Sequence, residues 1–456
     1  MSEHHTLPFH ILREENLWIL VHKNRPSWIV TNEVGKDIAV RNSLKSSNRE
    51  IAEFLKSRYG PSENIEEDIK GFMKDLEEAG FLKEKFPEES CDSKNSLKGI
   101  LFLVTQACNL SCYHCSLGNE FSVSKNFPKE FFYKVVEELD SLGVKSLLIS
   151  GGEPLLRPDL FDLMTFASQK LNVSLSTNGT LIRLQEAQKL KKAAVAEIAV
   201  SLDGISSRTH DDLKGKGNFE KTLKGINFLT REGLGEKINL QFCLSKGNID
   251  EAIDFPKFAE SLGIQKITFL SMKKLGKASD LWKDLKPDRE KYQEFLLKLY
   301  EIFFTQGFSI EVNSPLSGFR PMMKPQEQVS TCPFGTQLIV NANGQIYPCP
   351  AMFFHEYCLG NVFEMSIEEA MHSPKFKVLK DEYRARKERI ARCKSCTWRN
   401  FCQGGCTSSV YLEKGTIWET DDFCEIRDQL YRKAIISAAK KKLWRREKVH
   451  EGIYAL

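Results

Sequence analysis

From residue 98 onward, apolar runs alternate six times with segments long enough for a helix. The runs are G-I-L-F-L-V-T, K-S-L-L-I-S, V-S-L-S-T, E-I-A-V-S-L, I-N-L-Q-F-C-L and K-I-T-F-L-S-M. Their wealth of Val, Ile and Leu predicts strands buried on both faces, as in a parallel sheet covered by helices. The segments between and after them predict helices near 129–142, 159–171, 184–193, 219–232, 250–262 and 288–306. Six β/α units are too few to close an eight-stranded barrel. The expected fold class is therefore α/β, a partial (β/α)6 TIM barrel over residues 98–315.

Polar signatures follow nearly every predicted strand. C-N-L-S-C-Y-H-C (108–115) follows the first, G-G-E-P (151–154) the second, S-T-N-G (176–179) the third and S-L-D-G (201–204) the fourth. Gly, Asn and Asp mark ordinary turns, so one such segment alone says little. Four in register, on the face where barrel enzymes carry their chemistry, point to a site.

The thirteen cysteines are unevenly spread. Three lie in 108–115 and eight between Cys332 and Cys424, and only Cys91 and Cys243 stand apart. The net charge of +4 over 456 residues gives no reason to expect nucleic-acid or membrane binding. No apolar run has the length of a membrane span, and M-S-E-H-H-T-L-P-F-H lacks the pattern of a signal peptide. A cytoplasmic location is expected. Thiols stay reduced there, so metal ligation is favoured over disulfides.

The flanks divide differently. Residues 1–84 read as a small α+β unit, with strands in I-L-R-E-E-N-L-W-I-L-V-H-K and S-W-I-V-T. Helices are expected at about 32–44, 47–58 and 64–80, with Ser47 and Asn48 available to cap the second and Gly60-Pro61 to end it. Residues 85–97 read as a polar linker. Residues 316–427 hold the cysteine-rich region, including the short strands Q-L-I-V-N and Q-I-Y-P-C, and 428–456 read as a basic helix docked at the terminus.

Cys108, Cys112 and Cys115 offer three soft thiolates, suited to zinc or iron–sulfur ligation. Structural zinc wants four ligands. Three cysteines on a cubane leave one iron open to another ligand. C-x-x-x-C-x-x-C after the first strand of a partial barrel, with G-G-E-P after the second, resembles the radical S-adenosylmethionine (radical SAM) superfamily. That resemblance implies a 4Fe-4S cluster on Cys108, Cys112 and Cys115, with S-adenosylmethionine on the open iron. In the family this pair yields a 5′-deoxyadenosyl radical that abstracts a substrate hydrogen. It further implies that Gly151, Gly152 and Glu153 contact the methionine amino group. Ser176, Asn178, Ser201 and Asp203 would lie near the ribose and His114 against the adenine. Where many relatives carry Arg this chain has Lys214, which offers the carboxylate charge without a bidentate fork.

The second field reads Cys332, eleven residues, Gly344, four residues and Cys349, then C-K-S-C-T-W-R-N-F-C-Q-G-G-C and finally Cys424. Taken bare, this could be two zinc knuckles. Beside the upstream triplet it resembles the SPASM extension of radical enzymes, which holds auxiliary clusters of the 4Fe-4S type. The resemblance assigns Cys332, Cys349 and Cys406 to a first auxiliary cluster and Cys393, Cys396, Cys402 and Cys424 to a second. Cys358 is the local candidate for the missing fourth ligand. The favoured reading makes it a small apolar residue beside a turn and leaves an open iron for a substrate donor.

A strand-and-helix unit ahead of such an enzyme resembles peptide maturases of the sactipeptide and ranthipeptide type, whose leading unit is a winged-helix-like domain that binds a leader peptide. The implied function is maturation of a ribosomally made peptide or protein, with a thioether cross-link as leading product. Alternatives are a carbon–carbon cross-linking enzyme, an anaerobic sulfatase-type maturase, and a tetrapyrrole or other small-molecule enzyme. Outside enzymes, a multi-cluster electron carrier or a zinc adaptor remains. The implied partners are the precursor substrate and an electron donor such as a flavodoxin or ferredoxin.

Overall fold

The computed structural model describes residues 7–82, 97–118, 125–302, 311–313 and 334–446. Cys91, Cys332, nearly all of the expected linker and residues 447–456 lie outside the described residues. The N-terminal unit is a three-stranded antiparallel sheet, β1 (Phe9–Glu14), β2 (Leu17–His22) and β3 (Trp28–Thr31), followed by α1 (Glu33–Ser43), α2 (Asn48–Tyr59) and α3 (Ile65–Glu78). The first predicted strand run splits into a hairpin, because Glu15 turns the chain at φ 55°. Ser47 caps α2 through a reciprocal pair with Glu50, and Gly60 ends it at φ 92°. Leu20 faces a core of Ile38, Ile51, Leu55, Ile69 and Phe72, while Ile19, Val21, Trp28 and Val30 on the other face of the sheet join the main core.

The barrel strands are β4 (Gly99–Leu103), β5 (Ser146–Ser150), β6 (Asn172–Thr177), β7 (Glu197–Ser201), β8 (Ile238–Leu244) and β9 (Lys266–Ser271), all parallel and in sequence order. Their covering helices are α4 (Lys129–Ser141), α5 (Leu160–Ser168), α6 (Leu184–Lys192), α7 (Ser207–Lys214), α8 (Asn218–Arg231) and α9 (Phe255–Ser261). Two single turns, α10 (Lys277–Asp280) and α11 (Trp282–Leu285), precede α12 (Arg289–Glu301). Beyond those two unpredicted turns, two helices differ from expectation. The fifth starts at Phe255 rather than 250, with Pro256 in its first turn. The unpredicted α7 buries Thr209, His210 and Lys214 beside Leu213, so its inner face is largely polar.

The sheet does not stop at β9. β10 (Glu311–Asn313) pairs in parallel with β9, and β11 (Gln337–Val340) pairs in parallel with β4 at the other edge. β11 continues antiparallel to β12 (Gln345–Tyr347) and then β13 (Gly360–Asn361). The cysteine-rich region is thus built outward from the barrel sheet. It carries α13 (Ile367–His372), α14 (Pro374–Arg389), α15 (Ala391–Lys394), α16 (Arg399–Cys402) and α17 (Thr407–Lys414). The final helix, α18, runs from Cys424 to Arg446, four residues ahead of the expected start at 428. Its Leu430, Tyr431, Ala434 and Ile435 are buried, and it packs on β2 and β3. Among the described residues no helix is long and apolar enough to cross a membrane.

Candidate active site

The strand-end signatures meet on one face, tied together through backbone. Gly152 N–H donates to Thr105 O (3.0 Å) and Glu153 N–H to Ala107 O (2.7 Å), so the G-G-E-P turn lies against the chain that leads into the cysteine triplet. A Cβ on Gly151, at φ 148°, would sit 2.4 Å from Thr105 O, and one on Gly152 would sit 2.3 Å from Ala107 O. Only glycine permits this approach. Glu153 is fully buried. Its carboxylate accepts from Thr177 Oγ1 (2.8 Å), Leu155 N (3.1 Å) and Asn178 N (2.8 Å). Burial pushes this carboxyl up, against the pull of those three donors. Three of about four acceptor positions are filled, which leaves room for one more donor.

Asn178 Nδ2 donates to Asn109 Oδ1 (2.9 Å) inside the triplet loop, and Thr222 Oγ1 donates to Asn178 O (3.0 Å). Ser176 is half-buried near the end of β6. Among the cysteines, Leu110 N–H points at Cys108 Sγ (3.4 Å). Burial pushes Cys112 up to about 11 although Lys214 acts the other way, so ligand binding there would release a proton. Cys115 O accepts from Lys277 N (3.0 Å), and Tyr113 N donates to Leu213 O (3.0 Å). The loop is therefore gripped by α7 and by the start of α10. Three thiols on one loop, one of them met by a backbone N–H, suit a thiolate-held cluster.

Asp203 is the hub behind that loop. It is 0 % exposed, with Oδ2 3.2 Å from His114 Nε2 and 3.3 Å from Lys214 Nζ. Oδ1 accepts from Cys243 N (2.7 Å). Burial alone would raise its carboxyl, but Lys214 and His114 more than reverse this and hold it well below the usual carboxylate range. Lys214, buried by α7, also donates to the Ser201 carbonyl (3.2 Å) and hydroxyl. Burial acts to lower it, yet Asp203 and Cys112 keep it above its ordinary value. His114 Nδ1 is buried without a partner among the described residues.

His210 and His22 give this fold an acid limit. Each accepts a backbone N–H on Nδ1, His210 from Asp203 (3.1 Å) and His22 from Asn24 (3.1 Å), which requires the neutral ring. Burial pushes both down to about 4, with Lys214 adding to the effect on His210 and Arg25 on His22. The unfolded chain therefore takes up these protons first. Stability should fall as pH drops from about 6.5 toward about 4, by up to about 3 kcal/mol per histidine. Urea midpoints measured across that range test this, and His210→Gln should flatten the slope.

The C-terminal cysteines form two separate groups. Cys393 on α15, Cys396 in the turn after it, Cys402 on α16 and Cys424 at the start of α18 lie near enough to act on one another. Burial and then its three neighbours raise Cys393 to about 12, and Trp398 N–H points at Cys396 Sγ (3.4 Å). Cys406 stands with a different partner, Lys273, just past β9. Lys273 Nζ donates to Cys406 Sγ (3.2 Å) and Ser409 Oγ (2.6 Å), and Cys349 is near enough to act on the same ammonium. Burial opposes ionisation of Cys406, but Lys273 and the Ser408 hydroxyl bring it down to about 6. Cys358, like Cys349, packs against the cluster that holds Tyr357, Met352 and Leu103, and its thiol donates to Gly360 O (3.4 Å).

Several participants were not evident from sequence: Asn109, Thr177, His210, Lys273 and the backbone of Cys243. Lys273 was hardest to find, because lysine is normally a surface residue and no spacing marks it.

Residues 102–259 match the model of the radical SAM superfamily, and residues 332–397 match SPASM, an iron–sulfur cluster-binding domain. The chain is 29% identical over 355 residues to the AdoMet-dependent heme synthase of Methanosarcina barkeri, covering 73% of this chain and 97% of that one. It is 25% identical over 319 residues to the mycofactocin maturase MftC of Mycolicibacterium smegmatis, covering 68% and 78%. Among solved structures it shares its fold with Streptococcus suis SuiB bound to S-adenosylmethionine, at TM-score 0.59 and 17% identity, over 92% of this chain and 99% of that one. SuiB has also been solved with its precursor peptide SuiA.

Proposed function

Because this chain is a radical SAM enzyme with a C-terminal SPASM domain, we propose that it matures a ribosomally made peptide by joining a cysteine sulfur to a carbon in a thioether. Such enzymes bind a 4Fe-4S cluster with S-adenosylmethionine, and auxiliary iron–sulfur clusters in the SPASM domain. Membership sets aside the electron-carrier and zinc-adaptor readings. When bound, the barrel cluster and S-adenosylmethionine supply a radical able to take a hydrogen atom from an unactivated carbon.

The protein's own part is holding and shielding. In this reading Cys108, Cys112 and Cys115 ligate the barrel cluster. Gly151 and Gly152 bring backbone close to the methionine end, and the remaining acceptor position of Glu153 takes the ammonium. Lys214, anchored by Asp203, provides positive charge beside Cys112. Cys393, Cys396, Cys402 and Cys424 hold one auxiliary cluster, and Cys349 and Cys406, with Cys332 from outside the described residues, hold the other. A flavodoxin or ferredoxin in the cytoplasm supplies electrons.

One observation carries the peptide assignment. The N-terminal sheet ends in two strands, β1 and β3, that pair only with β2 among the described residues, and such edges accept an added peptide strand. The sheet is docked on the cysteine-rich region. Lys23 O accepts from Arg399 Nε (3.2 Å) and Asn400 Nδ2 (2.9 Å), between Cys396 and Cys402. The likeness in fold to SuiB spans this unit as well. The test is anaerobic incubation of the reduced, cluster-loaded protein with S-adenosylmethionine and a short cysteine-containing peptide encoded beside its gene. A product lighter by two hydrogen atoms and lacking one free thiol is expected.

A second reading, modification of a tetrapyrrole, is favoured by the heme synthase relatives. Consumption of an iron tetrapyrrole, with the peptide untouched, would establish it instead.

A further inference from the structure

Arg386, in the last turn of α14, is the largest fully buried side chain among the described residues, at 0 % exposure. All five of its N–H donors are used. Nε donates to Ile417 O (2.8 Å), Nη1 to Gly405 O (3.0 Å) and Thr407 Oγ1 (2.6 Å), and Nη2 to Gly404 O (3.2 Å) and Glu419 O (3.1 Å). No acceptor is a carboxylate. Other arginines withdrawn from water are neutralised: the buried Arg157 grips Asp159 through Nε and Nη2, and the part-buried Arg427 grips Asp421 with both terminal nitrogens. A buried cation without a counter-charge is strongly disfavoured, because carbonyl dipoles replace water only in part.

The surroundings of Arg386 show where the missing negative charge would come from. Ile390 N–H donates to Arg386 O (2.9 Å) and Cys393 N–H to Ile390 O (2.9 Å), so the arginine lies two hydrogen-bonded turns before the first of the four grouped cysteines and acts on its thiol electrostatically. Its other side holds the loop from Cys402 to Cys406. There Gln403, Gly404 and Gly405 are all left-handed, at φ 54°, 83° and 80°. The two glycines adopt this conformation freely, while Gln403 carries the cost a non-glycine residue has there. Arg386 binds the carbonyls of both glycines. This loop also parts the chain between the two cysteine groups, since Cys402 belongs to one and Cys406 to the other.

We propose that Arg386 is the internal counter-charge of the cluster held by Cys393, Cys396, Cys402 and Cys424, a positioning residue that raises that cluster's reduction potential while fixing the loop to Cys406. This rests on the reading that those four cysteines hold a cluster. A fixed cation favours the more negative, reduced state of a thiolate-bound cluster, as do hydrogen bonds and charge generally.

The test uses the full chain, reconstituted with iron and sulfide, in a Cys108→Ala, Cys112→Ala, Cys115→Ala background that silences the barrel cluster. Cys402→Ala identifies the signal of the four-cysteine cluster by difference. Arg386→Gln should make that signal harder to reduce, with at least a tenfold change in the reduced-to-oxidised ratio at a fixed potential, about 59 mV for one electron. Arg386→Lys should stay close to the parent. If Arg386→Gln fails to load this cluster while Arg386→Lys loads it, the need for charge is equally supported. An Arg386→Gln protein with full iron and an unchanged potential overturns the proposal, as does equal failure of both variants, which would make Arg386 a loop clamp only. Iron content unaffected by Cys402→Ala would show instead that the cluster reading itself is wrong.

Discussion

Alanine at Cys108, Cys112 or Cys115 is expected to abolish 5′-deoxyadenosine formation while iron bound by the C-terminal cysteines remains. The argument is one of supply. The triplet loop contains no spare thiol; of the other cysteines described, Cys243 stands on β8, where burial pushes its thiol up, and Cys349 and Cys406 are engaged at Lys273. Losing an outer-shell partner of a metal site costs up to about a hundredfold, so losing a ligand should cost more than that. Iron should fall from about twelve atoms per chain toward about eight, the content of two cubanes. Iron analysis and quantified 5′-deoxyadenosine check both halves. Retained cleavage of S-adenosylmethionine in all three variants would end the assignment of the triplet.

Asp203→Asn is expected to be the most damaging single change that removes no proposed ligand. The carboxylate neutralises buried Lys214, meets His114 and accepts the backbone of Cys243. Its amide replacement leaves the Lys214 ammonium buried without its counter-charge, which typically costs about 3–5 kcal/mol. Activity should fall with it, because the triplet loop leans on this group through His114 and through α7. Removing both charges is predicted to be milder than removing one. The Asp203→Asn, Lys214→Met double variant should therefore recover part of the stability lost. Denaturant titrations of the two single variants and the double variant decide this. Strict additivity would mean that Asp203 and Lys214 do not act as a pair.

The barrel was legible because parallel strands buried on both faces write themselves as unbroken apolar runs, and their polar ends fell where the chemistry gathers. Helix α7 was not legible for the opposite reason. Its buried face has one apolar residue, Leu213, among Thr209, His210 and Lys214, so apolar spacing marks it only weakly. The pairing of β11 with β4 joins segments more than two hundred residues apart, and nothing local specifies that register. The separation of Cys406 from Cys402, implied by resemblance alone, has a visible physical means in the left-handed loop at Gln403–Gly405. The part-buried Lys273 and the buried Arg386 could not be told from the many surface lysines and arginines around them.

The seam at Lys23 and Asn24 has a consequence beyond attachment. Arg399 and Asn400, which reach that turn, stand on the segment that carries Cys396 and Cys402. Order in the segment and order in the turn are thus parts of one equilibrium. Thermodynamic linkage then requires that any factor by which a loaded cluster tightens peptide binding at the sheet is the factor by which peptide tightens the cluster. A peptide captured by the N-terminal unit would thereby favour chains whose metal is complete. Incomplete chains would be passed over before any radical is made, a form of quality control written into two side chains and a turn.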